Sequence, residues 1–183
     1  MATLSAYGQQ FDTNFQPFIT RPGDVEKLRL LPDGRFIAAG SFTLANRQAE
    51  ASVARFFADG TLDLSFQATL PVTVRAMAVQ PDGKVVIGGR RLDDPGAEGS
   101  SVIRLNADGA LDETFTEVQI PAGSFSDIEV ESNGTLLIGG SYTTINGATA
   151  QGLARVDANG QLLQTFNLSA MGAVFVSDLI TQA

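Results

Sequence analysis

The chain has 183 residues, a formal charge of −8 at neutral pH, and neither cysteine nor histidine. Its length and its apolar content of 44% indicate a single folded domain, and no apolar run is long enough to cross a membrane. The acidic charge disfavours nucleic acid and anionic membrane surfaces as partners, and the missing residue types exclude disulfides, thiolate metal sites and the usual general base.

The first predicted element is a partial repeat unit over 8–17. Its segment Phe11–Phe15 aligns with Leu62–Phe66 further along the chain, and we interpret both as the last strand of a four-stranded unit. Met1–Gln10 lacks the cationic start and the apolar core of a signal peptide. An export signal therefore lies elsewhere in a longer parent chain or was never present.

Three complete units follow at about 24–66, 73–115 and 124–166, and a partial unit occupies 174–183. Each complete unit has four short runs rich in Val, Ile and Leu, separated by Asp-Gly or Asn-Gly turns, which predicts two β-hairpins per unit. Asp-Gly suits these turns because Gly takes positive φ without penalty and Asp tolerates the left-handed region. The second unit, for example, closes with a predicted strand over Leu111–Phe115.

Four features recur at the same place in every unit, at steps of 49 and then 51 residues. The first strand of each unit also keeps one apolar face, such as Leu28 and Leu30 in the first unit. The four recurring features are the first turn, the glycine that ends the second strand, an arginine in the third strand and a closing phenylalanine: Asp33 and Gly34, Asp82 and Gly83, Asn133 and Gly134; Gly40, Gly89 and Gly140; Arg55, Arg104 and Arg155; Phe66, Phe115 and Phe166.

We call these four sets of recurring residues the repeat columns, and we predict that their role is structural. Each arginine is expected to anchor a turn or the neighbouring unit, through carboxylates such as Asp63 and Asp112 or through backbone carbonyls. The alternative is a ring of ligand-binding guanidinium groups. Each phenylalanine is expected to anchor the core, with stacking platforms for sugars as the alternative, and the glycines are expected to permit close backbone approach or to form a bulge.

An acidic loop in the second unit carries the candidate metal ligands Asp93, Asp94 and Glu98. Clustered carboxylates suit Ca²⁺, but their spacing lacks the alternation of an EF-hand loop. A solvated loop is therefore favoured, and neither a metal nor another cofactor is expected.

Three segments carry a family resemblance: Leu30–Arg35 (LLPDGR), Val79–Lys84 (VQPDGK) and Arg104–Phe115 (RLNADGALDETF). They resemble the delta-60 repeat, a β-propeller repeat domain of unknown function, and the resemblance extends from Phe11 to Ile180. It implies bacterial, mostly exported or cell-surface proteins built from tandem copies, and hence an extracellular location. It implies no catalytic residues.

Four short strands per repeat of 49 to 51 residues fit a propeller blade. We therefore predict an all-β, β-propeller-type tandem repeat, with three complete four-stranded blades and partial units at both termini, in a single repeat domain over 1–183. A closed ring needs roughly four to eight blades. The chain is accordingly interpreted as a fragment of a longer propeller or as a partial propeller that assembles with copies of itself.

The leading functional hypothesis is a non-catalytic module, a scaffold or binding surface of an exported or cell-surface bacterial protein, with neighbouring repeats, a protein or a glycan as its partner. One alternative is an oligomerising partial propeller, most simply a homodimer that completes one ring of about six or seven blades. The other is a hydrolase or lyase with a carboxylate site in the propeller channel, although no pair stands out among Glu26, Asp127, Glu129 and Glu131.

Overall fold

The computed structural model describes residues 19–44, 50–92, 99–168, 172 and 175–180. This part of the chain consists of strands, turns and loops without a helix, so the predicted all-β class is confirmed, and within these ranges no helix is suited to cross a membrane. The strands are β1 (Ile19–Leu30), β2 (Phe36–Leu44), β3 (Glu50–Phe56), β4 (Ala76–Val79), β5 (Val85–Arg90), β6 (Ser100–Leu105), β7 (Val118–Ile120), β8 (Gly123–Val130), β9 (Leu136–Tyr142), β10 (Thr144–Ile145), β11 (Ala148–Thr149), β12 (Leu153–Val156) and β13 (Leu162–Thr165).

Eleven of these strands form three antiparallel sheets that follow one another along the chain, and we call them blades 1, 2 and 3. Blade 1 has the order β1-β2-β3, blade 2 has β4-β5-β6-β7, and blade 3 has β8-β9-β12-β13 with the separate hairpin β10-β11. The first strands adjoin, with β1 beside β4 and β4 beside β8. One apolar cluster joins blades 1 and 2 and another joins blades 2 and 3, which is how stacked propeller blades bury their faces.

The first turn of each unit is a short hairpin loop in which only the glycine is left-handed. The glycines of the three first turns have φ between 82° and 84°, and Asn146 is the one non-glycine residue with positive φ within the described ranges. In blade 1 the N–H of Gly34 donates to Leu31 O at 3.0 Å, and Asp33 Oδ1 accepts from the N–H of Arg35 at 3.0 Å. The aspartate therefore closes the turn with its side chain and leaves the left-handed conformation to glycine.

The segments Leu62–Phe66 and Leu111–Phe115 are not strands, and the prediction was wrong here. Each makes one isolated bridge to the third strand and then turns. The turn forms because the carboxylate of Asp63 or Asp112 accepts the backbone N–H two residues on. The matching segment of blade 3 is a strand, β13, where Leu163 replaces that aspartate.

The fourth strand of blade 2 is β7, which follows Phe115 and pairs with β6. Blade 1 has three strands within the described residues, which differs from the predicted four. The connection after Phe66 is two residues shorter than the one after Phe115, and Pro71 O already accepts from Leu92 N–H of blade 2 at 2.6 Å. Residues 67–71 of this connection form no strand beside β3.

The glycines that end the second strands lie against neighbouring main chain. A Cβ built on Gly89 would lie 1.5 Å from Thr73 O, and one on Gly140 would lie 2.2 Å from Ser124 O. The β1–β2 and β8–β9 ladders both shift register beside this position. The close approach and the bulge expected from the sequence are both present.

Of the two predicted partial units, only the C-terminal one includes described residues. The N-terminal one, 8–17, lies outside the described residues. Of the C-terminal one, residues 175–180 are described and form no regular strand. Val176 N–H nevertheless donates to Gly140 O of blade 3 at 3.2 Å, so this segment lies against the last blade.

Candidate functional site

A buried ion pair occurs at the same place in blades 1 and 2. Arg55 Nε lies 2.7 Å from Asp63 Oδ2, and Arg104 Nε lies 2.8 Å from Asp112 Oδ2; all four residues are buried. The third strand supplies the arginine, and the isolated bridge after the second turn brings the aspartate opposite it, with Asp112 N–H donating to Arg104 O at 2.9 Å. These are the two carboxylates that the sequence suggested as arginine partners.

A second cation contacts each of these carboxylates. Lys84 Nζ lies 2.8 Å from Asp112 Oδ2, and Arg35 Nη1 lies 3.0 Å from Asp63 Oδ2. Blades 1 and 2 therefore each hold two cations around one buried carboxylate. This arrangement offsets the cost of removing the carboxylate from water.

These contacts keep the two carboxyl groups ionised. Burial raises the pKa of Asp63, but hydrogen bonds led by those from Ser65 and Arg55 outweigh it and lower the pKa to about 2. Burial also opposes ionisation of Asp112, where the bond from Lys84 leads the contacts that hold the pKa well below its usual range. Both groups therefore carry a fixed negative charge near neutral pH.

Sequence reasoning missed the second cation, although the repeat columns contain a signal for it. Arg35 and Lys84 directly follow the glycine of the first turn. The third unit has Thr135 at that position, and it also has Leu163 in place of the carboxylate. The cation and the carboxylate thus occur together and are lost together, as expected of contacting residues.

Both buried arginines also reach the next blade. We call the contact region between two consecutive blades a joint. Arg55 Nη1 donates to Ala107 O in the second turn of blade 2 at 2.5 Å. Arg104 Nη1 donates to Ala158 O in the second turn of blade 3, which also accepts from Gln80 Nε2 at 3.2 Å. Each arginine therefore ties the carboxylate of its own blade to a backbone carbonyl of the following one.

Arg155 in blade 3 departs from its counterparts. Its Nη2 pairs with Glu131 at 2.8 Å and its Nη1 donates to Gln164 at 3.3 Å, both within its own blade. Its Nε is buried without a hydrogen-bond partner, because Leu163 stands where the other blades have aspartate. The side chain is 34% exposed. Two arginines of the column are therefore buried and bridge two blades, and the third is partly exposed and pairs within its own blade.

The closing phenylalanines lie beneath the arginines. The guanidinium carbon is 4.9 Å from the ring centroids of Phe66 and Phe115, and 5.7 Å from that of Phe166, which is within cation–π range. Phe66 and Phe115 are buried, whereas Phe166 is half-buried. The first two rings are covered by guanidinium groups, as expected for core anchors and not for sugar platforms.

The acidic candidates lie in two places. The loop at 93–98 is outside the described residues, so the prediction for calcium stays a prediction. On the first strands, Glu129 Oε1 lies 4.0 Å from Arg29 Nη2, and the pKa of Glu129 is raised by burial and by the nearby charge of Asp127. Over the described ranges, no group of three or more residues of metal-binding type comes together.

A groove of about 220 Å³ lies at the joint between blades 2 and 3, and its lining includes Lys84, Arg104 and Asn159. Pockets for small molecules usually have volumes of about 300–1,000 Å³. The lysine and arginine in this groove already bond to Asp112. Both cations of the groove are therefore engaged by a buried carboxylate of the fold.

The three stacked sheets and the repeated joint define a β-propeller repeat protein. The family described as "Domain of unknown function (DUF5122) beta-propeller" matches residues 31–66, 80–115 and 131–166, which is more than half of the chain. The chain belongs to this family, which confirms the resemblance found in the sequence. No curated protein matches the chain.

Two solved structures show partial similarity. A protein of unknown function from Bacteroides caccae is 16% identical with a TM-score of 0.47, and the match covers 82% of this chain and 48% of that one. A protein provisionally assigned as a gluconolactonase is 17% identical with a TM-score of 0.45, over 74% of this chain and 45% of that one. The chain thus spans about half the length of each.

Proposed function

We propose that the chain is a non-catalytic repeat module, a scaffold or binding surface within an exported or cell-surface bacterial protein. The observation that carries this proposal is the use made of the buried charges. Arg55 bonds to Asp63, and Arg104 bonds to Asp112. Both arginines also donate to the second turn of the next blade. Groups held in this way stabilise a stacked frame, and a carboxyl group with a pKa of about 2, such as Asp63, is poorly matched to proton transfer near neutral pH.

The proposed partners are neighbouring repeats, a protein or a glycan. A frame of stacked blades presents loops and sheet edges at fixed positions, which suits a recognition surface. The proposed extracellular location rests on the family resemblance, and the absence of cysteine is compatible with it. Protease accessibility of an epitope-tagged parent protein on intact cells tests the location.

An enzyme is the second candidate, and one observation favours it. Glu129 has a raised pKa beside the charge of Asp127, and such paired carboxyl groups can divide the roles of acid and base. Asp127 Oδ2, however, accepts the N–H of Leu179 at 3.0 Å. The carboxylate of Asp127 therefore already has a structural hydrogen-bond role in the fold.

One experiment separates the two candidates. The wild type and Glu129→Gln are incubated with p-nitrophenyl glycosides and p-nitrophenyl esters, and released nitrophenol is followed by absorbance. A scaffold gives the buffer rate with both proteins. Turnover by the wild type that Glu129→Gln abolishes, while its melting temperature is unchanged, would replace the scaffold proposal by the enzyme.

A further inference from the structure

The first strand of blade 1 exposes an apolar surface that its counterparts bury. Val25, Leu28 and Leu30 are 45%, 55% and 74% exposed, and we call them the β1 face. In blade 2 the counterparts of the first two are Val74 and Met77, which are 4% and 0% exposed. Those two belong to the apolar cluster that joins blade 2 to blade 1. The β1 face is therefore one half of a blade joint, turned towards solvent.

Blade 3 has the other kind of joint surface, the one on which a first strand packs. In the joint between blades 2 and 3, a Cβ built on Gly88 would lie 2.9 Å from Ile128 Cδ1 and 3.3 Å from Phe125 Cδ2. The first strand of blade 3 thus packs directly on Gly88. The counterpart of Gly88 on blade 3 is Gly139, and we call the surface around Gly139 and Leu137 the Gly139 face.

Segment 175–180 of the same chain covers the Gly139 face. A Cβ built on Gly139 would lie 2.8 Å from Val176 Cγ1 and 3.3 Å from Leu179 Cδ1. Val176 and Leu179 are each 51 residues beyond Phe125 and Ile128, so they take the places of those residues. Segment 175–180 therefore occupies the place on blade 3 that the first strand of blade 3 occupies on blade 2.

The β1 face has the same pattern as segment 175–180. Val25 and Leu28 are three residues apart, as are Val176 and Leu179, and the blade joints repeat this spacing. The Gly139 face thus already binds the side-chain pattern that β1 exposes. Continuity with two joints inside the chain identifies the occupant as a blade of this repeat.

We propose that the β1 face of one copy docks on the Gly139 face of a second copy and displaces segment 175–180. Burial of the exposed β1 face supplies the driving force. The second turn of the docked blade 1 brings Ala58 O, the counterpart of Ala107 O and Ala158 O, to the side of Arg155. Two copies contribute six blades, within the range of about four to eight that closes a ring. The product is a homodimer with two identical joints. This inference goes beyond the scaffold proposal and does not depend on it.

Segment 175–180 acts in this scheme as an internal competitor. Its side chains occupy the Gly139 face of the free chain, so association must displace it and is weaker by that cost. Leu179→Asp weakens the competitor and leaves both docking faces intact. This variant is expected to associate several-fold more tightly than the wild type.

The test is sedimentation equilibrium of the full chain from about 1 to 100 µM. The wild type is expected to approach twice the monomer mass of 19.2 kDa as concentration rises. Leu28→Asp blocks the β1 face and Gly139→Val blocks the Gly139 face, and each alone is expected to lose at least tenfold in association constant. Leu64→Asp alters another exposed leucine (60% exposed) and is expected to associate like the wild type.

Mixing the two blocked variants tests the direction of the joint. Leu28→Asp keeps an intact Gly139 face and Gly139→Val keeps an intact β1 face, so the mixture is expected to form a heterodimer through one joint. Circular dichroism melts check folding, and Leu137→Asp replaces Gly139→Val if that variant fails to fold. The proposal is overturned if wild type and Leu179→Asp both stay monomeric, if Leu28→Asp associates normally, or if Gly139→Val self-associates like the wild type.

Discussion

Replacing Arg104 by methionine tests the joint where the structure places most of its buried charge. Methionine keeps an apolar stem over Phe115 but removes the bond to Asp112 at 2.8 Å and the bond to Ala158 O. Breaking a buried ion pair usually costs about 3–5 kcal/mol. Lys84 Nζ remains 2.8 Å from the carboxylate, so the lower end applies. We expect a loss of about 3 kcal/mol, or about 6–12 °C in Tm for a domain of this size.

Arg155→Met is the matched control, because the same column changes at a site with weaker contacts. Arg155 is partly exposed, pairs with Glu131 and has an unpartnered Nε, so its removal is expected to cost about 0–1 kcal/mol. Urea denaturation followed by fluorescence and circular dichroism measures both variants. Equal losses, or a loss below about 1 kcal/mol for Arg104→Met, would refute the reasoning that the buried joint carries the stability.

Three further predictions concern acid, backbone and metal. Asp63 has a folded pKa of about 2, below its unfolded value of about 3.9, so its contribution to stability of about 2 kcal/mol is complete above pH 5 and fades as pH falls towards 2. The difference in unfolding free energy between the wild type and Asp63→Asn should therefore close over that pH range, and a constant difference would contradict the prediction. Alanine in place of Gly160 would have to adopt a φ of 87° and its Cβ would lie 2.0 Å from Thr116 O, whereas in place of Gly147 it would only have to adopt a φ of 76°. Chemical denaturation should show a loss of unfolding free energy of about 1–2 kcal/mol for Gly147→Ala and at least twice that for Gly160→Ala. Similar losses would show that the backbone at the joint moves to accept the methyl group. Melting temperature should be the same with excess calcium as with chelator, and a rise of several degrees would make the loop at 93–98 a metal site.

The repeat register made the sheets and their joints predictable. The columns located the turns, the apolar faces and the arginines, and they suggested Asp63 and Asp112 as partners before any geometry was known. Periodicity succeeds here because a strand exposes alternate residues to each face, so a shared pattern implies a shared environment. The six turn glycines follow from the same logic, since each lies between two apolar runs.

Other parts of the fold depend on competition between side-chain hydrogen bonds and strand pairing, which the repeat columns do not reveal. The repeat pattern predicts a strand over Leu111–Phe115, yet Asp112 Oδ1 accepts the N–H of Thr114 at 3.0 Å and ends the pairing. The fourth strand of blade 2 forms instead over Val118–Ile120. The direction of Arg55 and Arg104, towards the next blade, also depends on how the sheets stack. Such outcomes are decided by three-dimensional proximity, which local propensity does not contain.

The acceptor of each buried arginine has a consequence for how such chains change in evolution. Arg55 and Arg104 donate across the joint to main-chain oxygens, those of Ala107 and Ala158. Every residue type carries that oxygen, so substitution in the turn alters the side chain without deleting the acceptor. Duplication of one repeat therefore delivers a donor and an acceptor together, already matched to both neighbours. Growth by whole repeats needs no compensating mutation at the new boundary, which favours gain and loss of entire blades over the gradual drift of one.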